Sequence, residues 1–259
     1  MKKLIGVGAS RGVALGQLYY FNNTVKKAGL RTVENTNAEQ VRFDAARKQA
    51  IATLGELYGK AHGEIGPKAS MIFKIHQMLL EDQDYVDSVD SLICDMRYTA
   101  EYAVQLAGER FAQIFAVMDD AYMKERCADM IDISTRVMRL LCGEPASNLS
   151  QPQGKLIIAA NDLLPSETIQ LDRNKVQAML TCAGSKVSHT AILARTMGIP
   201  AVVGLGRELS LLQNGDTVLV DGFNGTVVVD PSEVMIAEYN SKHGNAEGAY
   251  KNLVDQLVV

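Results

Sequence analysis

The stretch best suited to chemistry runs from Cys182 to Ala201, where the small-residue loop Ala183-Gly184-Ser185 leads through Lys186-Val187 into Ser188-His189-Thr190 and an apolar segment closing on Gly198. Apolar runs on either side read as strands, so Ser188 reads as an N-cap and His189 falls in the first turn of a helix. Backbone N–H groups without intrahelical partners and the positive end of the helix dipole favour an anion there. An imidazole, with an ordinary pKa of about 6.5, keeps an unprotonated ring nitrogen available as a nucleophile near neutral pH. A phosphoryl group taken up by His189 would sit in that field. Position alone leaves a capping or surface role open for His189, and a plain N-cap for Ser188. Arg195, six residues further on and about 240° around an ideal helix, is off the histidine's face and reads as structural.

The elements that hold this segment belong to the C-terminal part of the chain. After Pro145 the hydrophobic period drops to two or to short runs: 156–159, 178–181, 201–203, 217–220 and 226–229. These read as strands, with Asn224-Gly225 as a hairpin turn and Pro165-Ser166-Glu167 as a helix start between strands. Asp230 before Pro231 reads as the N-cap of a closing helix. At the other end, Leu4–Val7 and Gln17–Phe21 read as two strands joined by a turn containing Gly8, Gly12 and Gly16. Gly6-x-Gly8 is not a dinucleotide fingerprint, because the next glycine is one place late.

From Asn37 to Gly143 the pattern is helical. Asn37 with Gln40 offers a cap, and Phe43, Ala46, Ala50, Leu54, Leu57 and Ala61 recur at spacings of three and four. Gly63, Gly66 and Pro67 end that helix. Further stripes run through Ile72, Ile75 and Leu79; through Tyr85, Val89, Leu92 and Met96; through Ala103, Leu106, Phe111, Ile114, Phe115 and Met118; and through Cys127, Met130, Ser134, Val137 and Leu141. Thr99 and Asp119-Asp120 mark helix starts. Short connections make these an antiparallel helical-hairpin bundle inserted within an α/β domain.

The composition limits what such a protein can do. A chain of 259 residues, 47% hydrophobic, can bury a sizeable core, and a net charge of −4 provides no basic surplus for nucleic acid. Cys94, Cys127, Cys142 and Cys182 form no CxxC pair and have no histidine at ligand spacing, so neither a zinc site nor a redox motif is indicated. The expectation is no metal in this chain. Met1-Lys2-Lys3 followed by an apolar stretch imitates a signal peptide, but Arg11 interrupts it, and no apolar run reaches membrane-spanning length. Cytoplasmic localisation without membrane insertion follows as an expectation.

The segment Gly184-x-x-x-Ser188-His189-x-Ala191-Ile192-x-Ala194-Arg195, followed by Gly198-Ile199-Pro200-Ala201-Val202-Val203-Gly204, resembles the phosphohistidine signature shared by Enzyme I, pyruvate phosphate dikinase and phosphoenolpyruvate synthase. Gly8-Ala9-Ser10, Ile72-Phe73 with His76, Met78 to Asp82, Lys124-Glu125-Arg126 and Pro165-Ser166-Glu167-Thr168 extend the resemblance to the N-terminal half of Enzyme I of the sugar phosphotransferase system. The resemblance implies an α/β phosphohistidine domain of the swivelling type with an inserted all-α bundle. It implies His189 as the phosphorylated residue, Thr168 as the residue whose hydroxyl bonds that histidine, and Gly184, Ser185 and Ser188 as phosphate neighbours. It also implies docking of an HPr-type phosphocarrier protein on Met71, Ile72, Met78, Leu79, Asp82 and Asp84, positions that the pattern alone leaves open to bundle core. His76 beside them reads as a packing or hydrogen-bonding residue.

The chain departs from the family at Arg11, usually proline; at Ser185, usually glycine; at Val187, usually threonine; and at Pro67-Lys68-Ala69, where other charges are usual. The domains expected are 1–33 with 144–230 for the phosphohistidine part, 34–143 for the helical part and 231–259 for a linker helix. In the full family a C-terminal barrel binds phosphoenolpyruvate and magnesium, so this chain is expected to exchange phosphate with phospho-HPr without loading itself from phosphoenolpyruvate. Two rivals stay open: the swivelling domain of a dikinase, opposed by the long helical insertion, and a non-catalytic protein-binding module. Replacement of His189 separates the second from phosphoryl transfer.

Overall fold

The computed structural model describes residues 2–21, 27–143, 155–168, 171, 174–239 and 241. It comprises two compact units, one formed by residues 1–23 and 151–259 and the other by residues 24–150. Among the described residues, no helix is long and apolar enough to cross a membrane.

The first unit is built on an eight-stranded sheet: β1 (Lys2–Ile5), β2 (Val7–Ser10), β3 (Val13–Phe21), β4 (Leu156–Ala160), β5 (Val176–Thr181), β6 (Ala201–Val203), β7 (Thr217–Asp221) and β8 (Thr226–Val229). Their order is β1-β8-β7-β3-β4-β5-β6-β2. Strands β3 to β6 run parallel, whereas β1, β8 and β7 pair antiparallel on one side and β2 pairs antiparallel with β6 on the other. Only Gly6 separates β1 from β2, so the two ends of the sheet must lie side by side. The Gly6 N–H donates to Gly225 O at 2.8 Å across that junction. The sheet thus curls toward a barrel, which protects edges that would otherwise be open to pairing.

The glycine-rich turn expected between two strands is therefore itself partly a strand. Gly8-Ala9-Ser10 has the composition of a turn, but close backbone approach to the β7–β8 turn requires small residues: a Cβ at Gly8 would lie 2.5 Å from Gly222 O. The five later strands form where the short apolar runs placed them. Leu18, Ile157, Ala178, Leu180, Val202, Val218, Val220 and Val227 fill the core on one face.

The second unit consists of α1 (Thr36–Glu81), α2 (Gln83–Cys94), α3 (Ala100–Ala116) and α4 (Ala121–Leu141). Helix α1 is capped by Asn35, whose side chain accepts from Ala38 N at 3.0 Å, two residues before the expected cap. Its first stripe is buried as read, with Phe43, Ala46, Ala50, Leu54, Leu57 and Ala61 each at most 7% exposed. At Gly66 (φ 83°, ψ 172°) the backbone leaves the helical region, so the first helix of α1 ends at Gly66-Pro67 as expected and a second follows directly after the break.

Beyond the break the buried face differs from the expected one. Phe73, His76 and Leu80 are fully buried, while Ile72, Ile75 and Leu79 are only half-buried. A histidine in the middle hides this stripe from a hydrophobic pattern. His76 is accommodated because its Nε2 lies 3.1 Å from Asp129 Oδ1, and Arg126 pairs with the same carboxylate.

Helix α3 also turns a different face inward. Ala100, Ala103, Val104, Ala107, Gly108 and Ala112 are buried, whereas Ile114 is half exposed. Small residues win because α3 and α4 approach closely: a Cβ at Gly108 would lie 2.2 Å from Ser134 Oγ. Thr99 and Asp120 cap α3 and α4 as expected.

Residues 31–33, assigned from sequence to the α/β part, bond to residues 97–99 instead. Val33 N donates to Arg97 O at 2.8 Å and Thr99 N to Arg31 O at 3.1 Å, which places this segment in the helical unit. In the closing segment residues 233–239 are helical, and Ser232 Oγ accepts from Met235 N, so Ser232 rather than Asp230 is the cap. The rest of the expected linker helix and the Pro145 stop lie outside the described residues.

Candidate active site

His189 opens α6 (His189–Met197), which runs from the end of the β5 loop to β6. Ser188 is its N-cap, with φ −63° and ψ 156°, and the Ser188 hydroxyl accepts from Ala191 N at 3.4 Å. Gly198, in the left-handed region, ends the helix. His189 is half-buried at the opening turn, where the sequence placed it.

The loop before the helix is tightly organised. Ala183 O accepts the Thr181 hydroxyl at 2.6 Å and the Gly204 N–H at 3.1 Å, and Ser188 N donates to Ser185 O at 3.1 Å. Gly184 carries the left-handed φ of 104° that the turn demands, and an added Cβ there would meet Ser188 Oγ at 3.3 Å. Ser185 has no such φ, so a serine there carries no backbone strain; its hydroxyl accepts from Val187 N at 3.3 Å. Val187 is exposed.

A second short helix, α5 (Pro165–Thr168), packs against α6. Thr168 is fully buried and its hydroxyl donates to Leu164 O at 3.0 Å. That bond uses the single hydroxyl proton, leaving Thr168 Oγ1 only its lone pairs for any further partner. Glu167, also buried, accepts from Leu164 N at 3.0 Å and braces the same turn.

Two neighbours of the histidine were not singled out from sequence. Thr190 is buried and donates to Leu163 O at 3.0 Å, joining the first turn of α6 to the start of α5. Asp162 lies within electrostatic range of His189 and also accepts from Leu163 N at 2.9 Å. Desolvation raises the Asp162 carboxyl above the ordinary carboxylate range; the Leu163 N–H, the Thr190 hydroxyl and His189 oppose that shift. Both residues sit beside recognised positions in sequence, but their roles depend on contacts across 27 residues or more. Arg195 is structural here: its Nη1 donates to Ala9 O and Lys186 O, each at 2.9 Å.

In the helical unit Met71 and Met78 are 47% and 62% exposed, Ile72 and Leu79 are half-buried, and Asp82 and Asp84 are exposed. Asp82 also caps α2, accepting from Asp84 N and Tyr85 N. These six residues are thus neither bundle core nor wholly free surface. Among the described residues, no group of three or more His, Cys, Asp or Glu side chains is placed to hold a metal ion.

Residues 5–126 match the family model of the PEP-utilising enzyme, N-terminal, and residues 152–225 match that of the PEP-utilising enzyme, mobile domain. The chain is 37% identical over 243 residues to the phosphoenolpyruvate-protein phosphotransferase of Bacillus subtilis, covering 94% of this chain and 43% of that protein. With the protein of the same name from Priestia megaterium it shares 34% identity over 261 residues, covering 100% and 46% respectively. The chain therefore spans less than half the length of these relatives.

Among solved structures, the solution structure of Enzyme I (nEIt) superposes with a TM-score of 0.77 at 34% identity, covering 94% of this chain and 99% of that one. The N-terminal domain of Enzyme 1 - Nitrogen, at 24% identity and a TM-score of 0.61, shares the fold. With both of its units matched in order and a related structure covered almost end to end, this chain belongs to the Enzyme I family and corresponds to its N-terminal part.

Proposed function

We propose that this chain carries a phosphoryl group on His189 and exchanges it with an HPr-type phosphocarrier protein. The observation that carries this reading is the setting of His189 in the first turn of α6, capped by Ser188 and braced through Thr190 against the segment that leads into α5. In the forward step a ring nitrogen of His189 attacks phosphorus as the donor's nitrogen–phosphorus bond breaks; the reverse step returns the group. Such transfer needs positioning and an anion-tolerant site more than covalent assistance.

The ring's orientation falls to Thr168. With its proton committed to Leu164 O, its hydroxyl can only accept from the imidazole, which favours the tautomer with the N–H toward Thr168 and a bare nitrogen for attack. Gly184, Ser185 and Ser188 supply a loop that admits the phosphoryl oxygens. The polarisable Met71 and Met78 on an exposed face, with Asp82 and Asp84 beyond them, suit a basic carrier protein. A cytoplasmic location fits such an exchange.

The test is incubation of residues 1–259 with phosphorylated HPr, followed by chemical typing of the label. Acid-labile, base-stable phosphate on the wild type and none on His189→Gln supports the reading, and equal labelling of the variant contradicts it.

A further inference from the structure

We propose that the cavity between the β2–β3 turn, the 184–188 loop and the β7–β8 turn is a binding site for a small multivalent phosphate, a ligand distinct from the phosphoryl group on His189. The cavity holds about 630 Å³, a size suited to a small molecule rather than a bare ion, and its lining includes Arg11, Lys186 and Arg195 but no carboxylate. All three cationic residues are exposed, and among the described residues none forms an ion pair.

The walls are fixed by the protein itself. Arg195 Nη1 binds the carbonyls of Ala9 and Lys186 and so joins two sides of the cavity. Its Nε and Nη2 hydrogens have no protein acceptor among the described residues, and a guanidinium fork matches phosphate oxygens. Asp221, the carboxylate beside this rim, is engaged by Phe223 N, Asn224 N and the Asn224 amide within its own turn. Three positive charges without counter-charges, around a preformed hollow, fit a ligand with two or more negative charges. Arg11, at the position where the family usually has proline, supplies one of the three.

Isothermal titration of residues 1–259 with inorganic pyrophosphate at fixed ionic strength tests the assignment. Saturable one-to-one binding is expected, weakened about tenfold or more in Arg11→Gln, as loss of one charge-assisted contact implies. Arg11→Gln combined with Lys186→Gln should remove it. Both side chains are exposed, so the variants should melt as the wild type does. His189→Gln should bind pyrophosphate unchanged, which separates this site from phosphoryl transfer. No saturable binding by the wild type, equal affinity in the double variant, or loss of binding in His189→Gln would each overturn the assignment.

Discussion

The Thr190 hydroxyl, buried in the first turn of α6, donates to Leu163 O at 3.0 Å and so ties the turn bearing His189 to the segment that opens α5. Thr190→Val keeps the shape but leaves that carbonyl without its donor, at a cost of about 1–3 kcal/mol. Urea unfolding should show that loss, with Thr190→Ser recovering most of it. Unchanged stability in Thr190→Val would mean that the tie contributes nothing.

Thr168→Val removes the acceptor assigned to the imidazole. Phosphoryl exchange with the carrier should slow by about 10–100-fold, the usual effect of losing a residue that orients a reactive group. Carrier affinity should not change, and Thr168→Ser should restore the rate. A rate unchanged in Thr168→Val would return Thr168 to a purely structural role in α5.

Much of this arrangement is legible in the sequence where hydrophobicity and geometry agree. The stripe from Phe43 to Ala61 is uniformly apolar and is buried as its spacing requires. Pattern fails where a polar residue occupies the core or a small residue governs packing. His76 conceals the Phe73–Leu80 face because its partner Asp129 is distant in sequence, and Gly108 matters for the atoms it leaves room for. Gly8-Ala9-Ser10 looks like a turn until β6 pairs with it. At the site, Ser188 and His189 are legible from the helix start, but the parts played by Thr190 and Asp162 become visible only when α5 and α6 are brought together.

Asp162 gives the site a pH signature. Because its folded-state pKa is raised, its contribution to stability is present below the ordinary aspartate pKa and is lost as pH rises through the raised value. Relative to Asp162→Asn, the wild type should lose stability across that interval. Urea unfolding of both proteins at a series of pH values measures the difference, and a difference that does not vary with pH would contradict the assignment.

In the helical unit, Tyr85 is pushed up to about 12 by burial, with its hydroxyl 3.1 Å from Ser134 Oγ. Its contribution is intact below 10.0, the ordinary tyrosine value, and is lost as pH rises from there through about 12. Tyr85→Phe should flatten that part of the alkaline stability profile. Equal slopes for the two proteins would show that another group is responsible.

Gly108→Ala places a methyl group where Ser134 Oγ already sits, 2.2 Å from the ideal Cβ. The bundle should lose about 1–3 kcal/mol by overpacking. Calorimetry of Gly108→Ala, Ser134→Gly and the double variant measures the clash: Ser134→Gly should cost less in the Gly108→Ala background than alone. Simple additivity would rule the clash out.

Intact-mass measurement followed by peptide mapping, after incubation with phosphorylated HPr, decides whether His189 itself bears the phosphoryl group. One added phosphoryl group is expected on the wild type, mapped to His189 and lost on acid treatment, and none on a folded His189→Gln variant. A phosphoryl group mapped to another residue, or found equally on the variant, would contradict that assignment.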